Sequence, residues 1–304
     1  MPELESASVL RGYWGRGEIV QTPMRPAFDA TIKSLTEAEM AFWLKERGSF
    51  VVNHRGRYWL GGPPGFFQAV DWLARMDSEE ATRPKAWCWG FRTPLCEKDA
   101  HLANATLPVH LMKDIEGYGM DSLSSRQRNK VRNCQKRVEF VQILQPDLLH
   151  EQGYEVVLSA QKRNGYGKVL TLRQYRKDIR HYFNPSRSLV LGGLIDGKLG
   201  GYIVSHAVGS TAYVDQIHLA TESLHTNIGL GLFFEWMQVC QRSGIIREVV
   251  HSPHVPENAG LTRHKKELGF SVTHIPTRVW FMPMAEEFIR KRRPHAYYRL
   301  TGHD

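Results

Sequence analysis

The 304 residues are 42% hydrophobic and carry a net charge of +9. That length holds a substantial core and suggests about two domains; the charge suits a polyanionic partner (nucleic acid, a phosphate-rich cofactor, an anionic surface) or a basic surface that only aids solubility. No segment approaches the roughly 20 apolar residues of a membrane span, the opening MPELESASVL lacks the basic flank and apolar run of an export signal, and Cys88, Cys96, Cys134 and Cys240 have neither CxxC nor zinc-ligand spacing. The expectation is a soluble, cytoplasmic protein with reduced thiols and no membrane partner.

Residues 1–30 are rich in Gly, Pro and Arg and are expected to be irregular. Thr36 and Glu39 form a capping-box pattern ahead of Met40, Trp43 and Leu44, so a helix should run to a stop at Gly48. FVVNHRGRYWL, residues 50–60, reads as a hairpin turning at Arg55-Gly56. The Gly/Pro loop 61–65 leads into a predicted helix, FFQAVDWLARM (66–76), then an aromatic strand, AWCWGF (86–91), and a strand over Leu107–Met112.

Ser122 and Ser124 can cap a helix reaching about Val138, with Leu123, Val131, Cys134 and Val138 on one face. Arg126, Lys130 and Arg137 flank that stripe on one side; Arg128, Arg132 and Lys136 flank it on the other. Helices are predicted at Tyr154–Arg163, ending at Asn164-Gly165, and at Leu172–Phe183, ending before Asn184-Pro185. A meander follows: Ser188–Ile195, the tight turn Asp196-Gly197, Leu199–Val208, the turn Gly209-Ser210, and Ala212–Leu219. Alternation on the last strand puts Asp215 and Ile217 on one face and Val214, Gln216 and His218 on the other.

The most informative stretch comes next: a glycine-bearing turn (HTNIGLG), an amphipathic helix (LFFEWMQVCQRSG), a strand (IIREVVH) and a second helix (ENAGLTRHKKELGF). A helix starting at Gly229 and Gly231 straight after a strand offers bare N–H groups and a positive dipole end to a phosphate. The alternative is that the two glycines only let the helix pack closely on the sheet. Asp215, Glu222, His251 and His254 are the acid–base candidates by topology. The two histidines lack a third ligand of suitable spacing, so no metal is expected. The tail is predicted as two strands broken at Pro276, a helix near Ala285–Lys291, and a basic, aromatic end (RKRRPHAYYRL) ordered only in part.

Residues 118–270 resemble the GNAT acyltransferase superfamily. LTRHKKELGF (261–270) and the basic LSSRQRNKVRNCQKR (123–137) resemble its FemAB-like branch, whose members transfer amino acids or other acyl groups to amines. The resemblance implies an α/β (α+β) fold with a mixed, mostly antiparallel central sheet flanked by helices, in tandem GNAT-like halves. Residues 1–111 would be a degenerate GNAT-like or separate small α+β domain, and residues 112–304 the acyltransferase domain. It also implies a gap between two splayed strands for the pantetheine arm of acyl-CoA, with the pyrophosphate on the loop opening the next helix. Ile217, Leu219, Asn227, Ile228, Gly229, Leu230, Gly231 and Asn258 would carry that cofactor site. The family loop begins with Arg or Gln where this chain has Thr226, so the match to it is partial.

Lys265 falls where acetyltransferases of the superfamily often carry a tyrosine acid; it could polarise the acyl carbonyl or bind a phosphate, or be a solvated lysine beside Lys266. The implied site is therefore Lys265, Asp215 and His251 for catalysis, with Arg126, Lys130 and Arg132 for a substrate phosphate. The implied reaction moves an acyl group, acetyl above all, from acyl-CoA to an amine-bearing small molecule or peptide by direct attack, without a metal. One alternative keeps the fold and takes aminoacyl-tRNA as donor; another is a non-catalytic nucleic-acid-binding or scaffold protein.

Overall fold

The computed structural model describes residues 23–62, 65–165, 170–183, 187–256 and 259–303. In chain order, β1 is Met24–Pro26, β2 Ser34–Leu35 and α1 Glu37–Glu46. Both halves of the Thr36–Glu39 capping box form, and Gly48 ends the segment at φ +81°. β3 (Phe50–His54) and β4 (Arg57–Gly62) make the expected hairpin. Arg55 and Gly56 both take positive φ, 53° and 79°, as a turn matched to strand twist requires. β5 (Phe66–Ala69), β6 (Gly90–Pro94) and β7 (Ala105–Lys113) follow.

Next come α2 (Ser125–Gln135), β8 (Glu139–Ile143), α3 (Tyr154–Asn164) and α4 (Leu172–Ile179). The meander β9 (Leu189–Ile195), β10 (Lys198–Val208) and β11 (Thr211–Leu219) is as expected. The chain ends with α5 (Ile228–Arg242), β12 (Glu248–Pro253), α6 (Ala259–Glu267), β13 (Ser271–Phe281), α7 (Ala285–Arg292) and α8 (Pro294–Thr301).

The thirteen strands among the described residues join one mixed, mostly antiparallel sheet, ordered β1-β8-β9-β10-β11-β12-β7-β13-β6-β5-β4-β3, with β2 beside β10. β7 lies between β12 and β13, so strands from distant parts of the sequence interleave there. One face carries α2 and α5, whose Val131, Cys134, Leu232 and Phe233 pack on Leu191, Ile203 and Val249. On the other face α3 and α4 cover Val190, Tyr202 and Val204, and α1 sets Met40 and Trp43 in a cluster with Leu107, Val109, Tyr213 and Val250. No helix among the described residues is long and apolar enough to cross a membrane.

Several local expectations are corrected. Residues 66–69 are a strand, not a helix: Phe67 and Ala69 are buried, Phe66 and Gln68 half-buried, and that period of two fits the sheet between β4 and β6. The aromatic strand starts at Gly90, because Trp87 is 92% exposed and points away from the core. β13 runs unbroken through Pro276, which still pairs with Thr106 and accepts from Leu95 N–H through its carbonyl. Residues 24–26 are a strand rather than irregular, α2 and α4 end earlier than expected, and the basic tail forms a full helix, α8, with proline at its start. The expected stop at Asn184-Pro185 lies outside the described residues.

Candidate active site

β11 and β12 are parallel neighbours, yet they pair only over Thr211–Tyr213 and Glu248–Val250. Beyond that point β12 stays with β7 and β11 stays with β10. A cavity of about 560 Å³ opens where they part, lined on β11 by Ile217 and Leu219 and on β12 by His251.

α5 starts at this opening. Asn227 takes left-handed backbone at φ 62°, and no side chain caps the helix. The N–H groups of its first turn have no intrahelical partner, so they are free to bind an anion at the positive end of the helix dipole. Glycines in the sheet bring α5 this close. A Cβ on Gly193 would meet Ile228 at 2.9 Å, and one on Gly200 would meet it at 3.0 Å. Ile228 itself is fully buried. Further along, Trp236 Nε1 donates to Ser205 Oγ of β10 at 2.9 Å.

The two glycines of the turn do different things. Gly229 lines the cavity. Gly231 does not: a Cβ there would meet Phe140 at 2.5 Å and Cys134 Sγ at 2.7 Å, so it serves the contact of α5 with α2. Thr226, where the family loop has Arg or Gln, is buried and donates to Ser223 O. Positive charge comes instead from Lys130 of α2 and Arg163 at the end of α3, both on the cavity wall with Gln127 and Asn164. Arg163 is oriented by Leu219 O at 2.9 Å and Thr221 Oγ1 at 3.1 Å.

The remaining predicted residues divide. Asn227 and Leu230 line the cavity; Arg126 and Arg132 are exposed on α2 and lie outside its lining; Asn258 lies outside the described residues. Asp215 is elsewhere, and a bulge is the reason. Val204 faces Gln216 and Ser205 faces Val214, so Asp215 is an extra residue. Val214, Ile217 and Leu219 therefore share the α5 face. Gln216 accepts from Tyr182 OH on the opposite face, where His218 packs on Tyr202. The simple alternation that put Asp215 with Ile217 does not hold. Asp215 instead bonds His206 Nδ1 at 2.8 Å.

A second bulge, in β12, acts in favour of the site. Val250 faces Leu111 and Ser252 faces His110, which leaves His251 as the extra residue. His251 stacks on Phe233 of α5 with ring centroids 4.8 Å apart, and Ser252 shares the face of His110. Two consecutive side chains thus point to the cavity side of the sheet. Lys265 meets them from α6: it is 1% exposed, and its Nζ donates to Ser252 Oγ at 2.5 Å. It is not the solvated lysine of the pair; Lys266 is. Burial lowers its pKa to about 8. His110, beneath it, is held down to about 4 by burial and by the lysine's charge. Its Nε2 lies 3.3 Å from His254 Nδ1. Among the described residues no cluster of three or more His, Cys, Asp or Glu is placed to hold a metal.

Ser252, His110 and Arg163 were not legible as site residues. Ser252 and His110 meet only through a bulged register, and Arg163 comes from the end of α3, 56 residues before the Leu219 carbonyl it binds; the Asn164-Gly165 stop signalled the helix end but not what stood opposite it.

No family model matches the sequence, and no curated protein does. Solved structures share the fold over most of both chains. The crystal structure of FemX aligns with a TM-score of 0.58 at 11% identity, covering 85% of this chain and 94% of that one. The C-terminal DUF2156 domain of a protein named as a lysylphosphatidylglycerol synthetase from Agrobacterium fabrum gives 0.56 at 12% identity, over 88% and 98%. A conserved protein of unknown function from Bacteroides thetaiotaomicron gives 0.52 at 13%, over 83% and 94%. With this sheet order, these parted strands and these neighbours, the chain has the GNAT-like fold in its FemAB-like form.

Proposed function

We propose that the protein is an acyltransferase: it holds an acyl donor by an anionic handle at the start of α5, threads the acyl arm between β11 and β12, and passes the acyl group to an amine. The observation that carries this reading is the parting of β11 from β12 beside an uncapped helix start. Amide donors and a dipole end at that place suit a phosphate. Ile217, Leu219 and Phe233 supply apolar walls for an arm, and Lys130 and Arg163 add charge at the mouth. At the far side Lys265 and Ser252 would stabilise charge developing on the acyl oxygen, and His251 would take the proton of the amine.

Acyl-CoA, acetyl-CoA in the first instance, is the donor this geometry suits best, because its pyrophosphate and pantetheine match the amide mouth and the gap in order. Native mass spectrometry and calorimetric titration with acetyl-CoA test it. The expected result is one bound equivalent in the wild type and none in Ile217→Trp, which fills the gap. Binding that survives Ile217→Trp would remove the gap from the site.

A second reading has aminoacyl-tRNA as donor. It is favoured by Arg126 and Arg132, exposed on α2 beyond the cavity wall, where only an anion longer than a pyrophosphate would reach them. Steep loss of tRNA binding with salt, together with no acetyl-CoA binding, would select it.

A further inference from the structure

Lys265 is unusual for a buried cation. It is 1% exposed, and among the described residues no carboxylate lies within ion-pair distance of its Nζ. The positive charges of Lys265, His254 and Lys266 all help to lower His110, while Lys265 itself is lowered by burial. An ammonium without a counter-ion is costly in such a place, so the neutral amine becomes accessible from about pH 8 rather than above 10. That amine sits 2.5 Å from the hydroxyl of Ser252, which is only half-buried and adjoins the cavity-lining His251. The Ser252 hydroxyl donates to Pro253 O at 2.9 Å and lies one residue beyond the cavity lining, so turning its proton onto a neutral Lys265 Nζ gives the arrangement of a Ser-Lys nucleophile pair.

We propose that Ser252 is a nucleophile activated by Lys265, and that it carries the acyl group as an ester between donor and acceptor. This rests on the acyltransferase reading above and replaces one direct attack by two steps. In the first, Ser252 Oγ bonds to the acyl carbon while Lys265 Nζ takes the hydroxyl proton. The carbon–sulfur bond of a thioester, or the carbon–oxygen bond of an ester, then breaks, and the leaving thiolate or alkoxide takes the proton from Lys265. In the second, the acceptor nitrogen bonds to the acyl carbon, the bond to Oγ breaks, and the amine proton returns to Oγ through Lys265. The sum is donor plus amine giving amide plus thiol or alcohol, with no oxidant or reductant. The β12 bulge is what makes the pair possible, since regular alternation would send Ser252 to the face opposite His251.

p-Nitrophenyl acetate tests the pair without presuming the natural donor. Mixed with the full chain, it should give a burst of p-nitrophenolate equal to the protein present, with acetyl on the peptide holding Ser252. The burst rate should rise through about pH 8, as Lys265 loses its proton. Ser252→Ala should abolish the burst, and Lys265→Met should slow it by about 10²-fold or more. Ser252→Cys, which keeps a nucleophile at the same place, should restore labelling and covers the case in which a Lys265 variant fails to fold. Acetyl on a different residue, or a burst unchanged in Ser252→Ala, overturns the proposal. So does acetyl-CoA turnover at the wild-type rate by Ser252→Ala, which would leave the acyltransferase reading standing with direct attack. A Ser252 burst in a protein that binds no acetyl-CoA upholds the pair and removes only the coenzyme donor.

Discussion

The parallel pair β11/β12 has a cavity at each end, and the two are nearly equal in size. The splayed end opens into about 560 Å³; the closed end, where both strands begin, has about 530 Å³. Polarity does not separate them either, because the closed end is lined by Arg57, Asp71, Arg75, Lys113, Arg247 and Glu248. What separates them is how their charged groups are paired. Glu248 takes Arg75 at 3.2 Å and Thr211 Oγ1 at 2.9 Å. Tyr213 OH donates to Asp71, Arg57 meets Glu37 at 3.3 Å, and Arg247 meets Glu116. The splayed end has a helix start with no side-chain cap and a buried lysine that donates to a serine and meets no carboxylate among the described residues. Volume and charge are common on a protein surface. A buried cation with no carboxylate beside it is not, because its burial costs free energy that an anionic ligand can offset.

Mutations can break that contrast. The largest effect is expected from Lys265→Met, which should lower acyl transfer by about 10²–10⁴-fold with the fold intact by circular dichroism. The corresponding change at the closed end, Glu248→Gln, should leave transfer unchanged and alter stability only slightly. Equal losses from both substitutions would mean that the splayed end is not special.

The two glycines of the α5 turn sharpen the comparison at smaller magnitude. Gly231→Ala forces a methyl into Phe140 and Cys134 and should destabilise by about 1–3 kcal/mol in chemical denaturation. Gly229→Ala meets only the flexible Leu219 Cδ1, at 2.8 Å, and should be close to neutral for stability while weakening donor binding. A reversed order would exchange the packing and binding roles assigned to them.

Acid should affect the two ends with opposite sign. Burial holds His110 and His218, beside the parting strands, at about 4 against an ordinary 6.5. Between those values the unfolded chain binds protons that the folded chain refuses, so this end loses stability as pH falls from about 6.5 toward 4. At the closed end burial raises Asp71 and Glu37 above the usual carboxylate range. They bind protons more readily when folded, so that end is favoured as pH falls through their raised values. His110→Gln with His218→Gln should flatten the fall in urea midpoint between pH 6.5 and 4; an unchanged slope would place the acid sensitivity elsewhere.

Much of the fold was legible because it is written in local rules. The Thr36–Glu39 box, the Arg55-Gly56 and Asp196-Gly197 turns and the Gly165 stop all fall where the sequence placed them. The misreadings occurred where tertiary pairing decided the outcome. Phe66–Ala69 joins a sheet because β4 and β6 stand on either side. Pro276 stays in a strand because β7 continues to pair past it. In the site, Ile217, Leu219, Asn227, Gly229, Leu230, His251 and Lys130 were implied by the family resemblance and all line one cavity. Asp215 could not be placed, because one bulge reverses its face.

The sequence by itself determined α1, the β3–β4 hairpin, the β9–β11 meander, the glycine-marked start of α5 and the lysine on α6, since periodicity, capping and turn chemistry act over a few residues. Only the tertiary structure decided which of those residues meet. Where β11 leaves β12, and where each strand takes in one extra residue, depends on pairing between segments far apart in the chain, and a shift of one residue moves a side chain to the other face of the sheet.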